Sequence, residues 1–128
     1  MSLEMLEQIR VRIMPMLRMV ADEYRHRVAE GYPIVVDSVE NGLVGLEIDP
    51  SYALYLTTDG QQLYADYYYR SSRNDTRSSA SREKFAGSPI YDRRPISPSV
   101  TDIDVRNMIA ELMTRYNFQP GLVHISDS

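Results

Sequence analysis

Residues 34–69 read IVVDSVENGLVGLEIDPSYALYLTTDGQQLYADYYY, and the fold turns on the rhythm of this stretch. Apolar and polar side chains alternate at every second position through four short runs, 34–39, 43–49, 52–58 and 63–69, each rich in β-branched or aromatic residues. That period belongs to a strand with one face against a core. The breaks between the runs are Asn41-Gly42, Asp49-Pro50-Ser51 and Asp59-Gly60. Such residues accept the backbone angles of tight turns, and tight turns join antiparallel neighbours. The stretch therefore predicts a meander. Alternation assigns its faces: Val44, Leu46 and Ile48 share one side, as do Leu54 with Leu56, and Leu63, Ala65, Tyr67 and Tyr69.

On either side of the meander the period lengthens. Leu6, Ile9, Ile13, Met16, Leu17, Val20, Tyr24 and Val28 recur at three- and four-residue steps, which predicts an amphipathic helix over 3–29. Pro15 falls inside it, where a missing amide hydrogen predicts a kink, and Gly31 supplies a stop. A second helix is predicted over 101–116. Thr101 or Asp102 caps it, Asp104 suits the positive end of its dipole, and Val105, Met108, Ile109, Leu112, Met113 and Tyr116 form its buried stripe.

The fold class that follows is α+β: a long N-terminal helix, an antiparallel meander of four or five strands, and a C-terminal helix packed on one sheet face. Residues 122–125 would add a short terminal edge strand. Residues 1–128 suit a single domain, since that length can bury one sizeable core. Between the sheet and the last helix, residues 71–84 are rich in serine and arginine and nearly free of apolar side chains, which predicts a mobile loop. Phe85, Ile90, Tyr91 and Ile96 then return the chain to the body as an irregular segment or a fifth strand.

Composition closes several routes. The chain has no cysteine, so disulfides, thiolate catalysis and Cys-ligated metals are excluded. No apolar run approaches the length of a membrane span. Glu4 and Glu7 break up the first apolar residues, unlike a secretory leader, so a cytoplasmic setting without membrane attachment is expected. The formal net charge of −4 conceals an asymmetry. Arg70, Arg73, Arg77, Arg82, Lys84, Arg93 and Arg94 outnumber Asp75, Glu83 and Asp92 in one segment, which is either a solvated loop or a seat for an anionic partner.

No motif carries an evident chemistry. His26, with Asp22, Glu23 and Glu30 within helical reach, and His124 could each serve as a base, but two histidines far apart in sequence lack any metal-binding spacing. Asp37, Glu40, Glu47, Asp49 and Asp59 are expected on turns and solvent-facing strand positions. Nucleophile elbows and phosphate-binding glycine loops are missing. No catalytic residue, cofactor or metal is therefore assigned.

Tyrosine is the unusual feature, with ten in the chain. Tyr55, Tyr64 and Tyr68 have the opposite phase to the core-facing residues, so they are expected on the outer sheet face beside Arg70, Arg73, Arg77 and Arg82. Either they pair across strands to stabilise the sheet, or they form a recognition patch. Two binding expectations follow. One is a non-enzymatic interaction module, homodimeric through the tyrosine face or an exposed sheet edge. The other is a single-stranded nucleic-acid or other anion binder, in which arginines neutralise phosphate and rings stack on bases. In element order alone the chain resembles frataxin-like proteins and several small chaperone and adaptor folds. The frataxin pattern also has an acidic first helix and a tryptophan in its sheet. Here the first helix carries Arg10, Arg12, Arg18, Arg25 and Arg27, and the chain has no tryptophan, so iron binding is not carried over.

Overall fold

A computed structural model describes residues 2–69 and 90–115. Helix α1 (Ser2–Tyr24) leads into strands β1 (Ile34–Ser38), β2 (Leu43–Asp49), β3 (Tyr52–Thr58), β4 (Leu63–Tyr69) and β5 (Ile90–Ile96), and helix α2 (Asp102–Arg115) follows. The five strands lie in chain order in one sheet, each antiparallel to its neighbour. The α+β meander expected from the alternation is thus present. Its fifth strand is regular, although only Ile90, Tyr91 and Ile96 hinted at it.

Both helices pack on the same sheet face. Leu6, Ile9, Ile13, Leu17 and Val20 of α1 and Val105, Ile109 and Leu112 of α2 meet Val44, Leu46, Ile48, Leu54, Leu56, Leu63, Ala65 and Tyr67 in one core. Burial of these apolar side chains is the main force holding the layers together. Arg12 of α1 donates to the carbonyls of Pro98 (3.3 Å) and Val100, tying the β5–α2 connection to the first helix. Thr101 and Asp104 form a reciprocal cap: the Asp104 amide donates to Thr101 Oγ1 at 3.1 Å, and the Thr101 amide donates to Asp104 Oδ2 at 2.9 Å. This satisfies amides that the first helical turn leaves without partners.

Two local expectations are corrected. Helix α1 continues through Pro15 as one helix, as expected, but ends at Tyr24, five residues before the predicted end. His26 adopts a left-handed conformation (φ 74°), and Arg27 N–H turns back to the Tyr24 carbonyl at 2.8 Å. Val28 still reaches the core, but from a turn. The predicted strand over 34–39 stops at Ser38, because Val39–Asn41 forms a 3-10 turn closed by left-handed Gly42 (φ 76°). The predicted terminal strand at 122–125 and the loop at 71–84 lie outside the described residues.

Candidate functional site

The sheet face opposite the helices carries most of the remaining polar chemistry. Register aligns residue positions in rows that cross all five strands. One row is Val36, Gly45, Tyr55, Asp66 and Arg93; beside it runs Ile34, Glu47, Ala53, Tyr68 and Tyr91. A third is Ser38, Leu43, Thr57, Tyr64 and Pro95. Alternation therefore places Tyr55, Tyr64 and Tyr68 on the face expected of them.

Their exposure is another matter. Tyr55 is 0% and Tyr68 5% exposed, and they form a second buried cluster with Val36, Leu43 and Ala53. Their rings meet edge to face with centroids 5.5 Å apart, a favoured aromatic geometry. The Tyr55 hydroxyl donates to Glu47 Oε2 at 2.5 Å, and Glu47 is itself only 1% exposed. Burial, followed by the Glu47 contact, pushes the Tyr55 phenol far above its ordinary ionisation range. Tyr64 is half-buried beneath the Arg93 guanidinium, 4.4 Å from its ring centroid. The outward patch anticipated from Tyr55, Tyr64 and Tyr68 is thus largely closed. A phenol over glycine and a carboxylate within reach favour inward packing, because the ring buries its area while its hydroxyl keeps a partner.

Next to this pair sits a buried charge. Asp66 is 0% exposed; it accepts from Arg93 Nε at 2.8 Å and from the second guanidinium nitrogen at 3.0 Å, and Thr57 Oγ1 donates to it at 3.1 Å. A two-pronged arginine contact matches carboxylate geometry and compensates the desolvation of Asp66. On the helix side, Arg94 lies 4.5 Å over the Tyr67 ring and bridges Asp92 and Glu111, while Arg115 joins Asp92 at 2.8 Å. Arg94 holds the Glu111 carboxyl below its ordinary range, and burial followed by Glu111 pushes Tyr67 up to about 12.

The remaining candidates are dispersed. His26 is exposed on the turn after α1, Asp22 is taken by Arg25 at 2.9 Å, and Glu23 faces Arg106 at 3.6 Å. His124, Arg70, Arg73, Arg77 and Arg82 lie outside the described residues. Asp37 accepts from Arg10 at 2.8 and 2.9 Å, and Asp59 accepts from the amides of Gln61 and Gln62. Glu47 and Asp49, expected toward solvent, are buried. The signal for Glu47 was there: it shares its face with Tyr55 and Tyr68, and a carboxylate among rings in phase seldom stays wet. Among the described residues no group of three or more His, Asp or Glu side chains could hold a metal, and no helix is long and apolar enough to cross a membrane.

Among the described residues the sheet has two edges, and they differ. Strand β5 carries Pro95 beside the partly exposed Arg93 and Arg94, whose charges are shared with Asp66, Asp92 and Glu111, and a proline is a usual guard against pairing at an edge. Strand β1 reads IVVDS, its one charge is bound by Arg10, and Ile34 is 40% exposed. Among the described residues no strand pairs with its outer side. Leu3, also exposed, lies two helical turns before Arg10 on the flank of α1 that reaches Asp37. No family model matches this chain, and no curated protein and no solved structure matches it either.

Proposed function

We propose that this chain is a small non-enzymatic protein-interaction module that self-associates by pairing β1 with β1 of a second copy. The observation that carries the reading is the contrast between the guarded β5 edge and the open, apolar β1 edge. An unpaired row of amides and carbonyls is a template for an added strand. Antiparallel pairing about a two-fold axis would join two sheets into one and bring Ile34 and Leu3 of each copy toward the seam. The commitment of Glu47 to Tyr55, Asp66 to Arg93 and Asp37 to Arg10 supports a structural use of these carboxylates in place of catalysis. A cytoplasmic setting belongs to the same proposal, supported by a chain without cysteine.

Light scattering after size-exclusion chromatography tests it on the wild type and Ile34→Lys. The substitution sets a charge on the edge and leaves the core intact, since Ile34 lies outside both buried clusters. Twice the chain mass for the wild type and a single chain mass for the variant is the expected result. A wild type that stays monomeric at hundreds of micromolar rejects the proposal.

A further inference from the structure

Asp49 ends β2, where the register shifts between Glu47 and Asp49 before the chain turns through Pro50 and Ser51. Its residue is 2% exposed. One carboxyl oxygen, Oδ1, accepts both turn amides, Ser51 N–H at 2.7 Å and Tyr52 N–H at 3.1 Å. Among the described residues, no donor reaches the other oxygen, Oδ2, and no Lys, Arg or His side chain pairs with Asp49. The titratable group that feels its charge is the Tyr52 phenol of β3, whose ring packs against Tyr69 of β4 with centroids 4.9 Å apart. A buried carboxylate oxygen without a donor is costly when charged and cheap when it carries a proton.

We propose that Asp49 is a proton-operated latch on the β2–β3 turn: the protonated carboxyl sits within the fold, and its ionisation works against the burial of the turn, leaving the turn's own hydrogen bonds in place. The geometry supplies both halves of the device. Oδ1 fixes the turn in either state, while Oδ2 is the seat for the proton. Burial pushes Asp49 up to about 6, against the opposing pull of the two turn amides. A carboxyl raised in the folded state contributes stability that is complete below its unfolded value, near 4, and is lost as pH rises to about 6. The folded chain would therefore hold this proton about a hundredfold more tightly than the unfolded one.

Carbon-13 NMR of the side-chain carboxyls in the full chain tests the latch directly, with the Asp49 signal identified by its loss in Asp49→Asn. A titration midpoint between pH 5 and 7 is expected, and one at or below 4 overturns the proposal. Asparagine keeps an acceptor for both turn amides and carries no charge. Its thermal midpoint, relative to the wild type, should climb between pH 4 and 6 and level off above; a difference that does not change with pH also overturns it. Should the variant fail to fold, the Ser51 and Tyr52 amide shifts of the wild type report the same titration.

Discussion

Arg93 of β5 grips Asp66 of β4 through two nitrogens, 2.8 and 3.0 Å from carboxylate oxygens that water does not reach. The pair stands directly across the strands, so the ion pair also fixes the register of the last strand. Its guanidinium lies over Tyr64, which shields one side.

Arg93→Ala is expected to destabilise the chain by about 2–3 kcal/mol, less than the loss of a fully buried partner because the arginine is partly in water. Among the described residues, Thr57 would then be the side-chain donor left to Asp66. Urea unfolding of wild type and variant measures the difference. A change below about 0.5 kcal/mol would show that the pair contributes only as a surface bridge does.

Gly45 lies opposite Tyr55 in the register. A Cβ there would fall 2.2 Å from the Leu54 carbonyl oxygen and 2.7 Å from the Tyr55 Cα. Backbone cannot yield as a side-chain tip can, so Gly45→Ala is expected to cost about 3 kcal/mol or to prevent folding. Thermal unfolding checks it. Gly60→Ala is no substitute control, since φ there is 97°; Ala110→Gly on the exposed face of α2 is suitable, with a cost near 1 kcal/mol.

How much of this could be read from the chain differs by element. The runs 43–49, 52–58 and 63–69 coincide with β2, β3 and β4, because a half-buried strand writes its period into every residue and the turn residues mark each end. Helix α1 outran its structure on paper, since Val28 keeps the helical phase although a left-handed His26 has already ended the helix. Such a stop has weak sequence signal: a non-glycine residue at positive φ is uncommon, even for histidine, which is enriched there. The candidate site was legible as a set of residues sharing a face, but not as a buried one. Alternation tells which side a residue takes, and says nothing of what lies against that side. Asp49 shows the same limit, for a carboxylate at a strand end is read as wet until its partners are known.

Acid sensitivity separates Asp37 from Asp49. Arg10 holds the Asp37 carboxyl below its ordinary range, first through the hydrogen bond. A carboxyl lowered in the folded state contributes stability above its unfolded value, near 4, and loses it as pH falls further. Asp37→Asn should therefore lower the thermal midpoint slightly at pH 7 and not at all at pH 2, the small size reflecting solvent around the pair. Paired melts at the two pH values decide; an equal loss at both would mean the contact acts by packing.

Amide hydrogen exchange, read by mass spectrometry at several chain concentrations, tests self-pairing at its own hydrogen bonds. Protection of residues 34–38 should rise with concentration while protection of β5 stays constant, because pairing supplies new acceptors to the β1 amides alone. Protection of β1 that is the same from the lowest concentration to the highest would contradict the account.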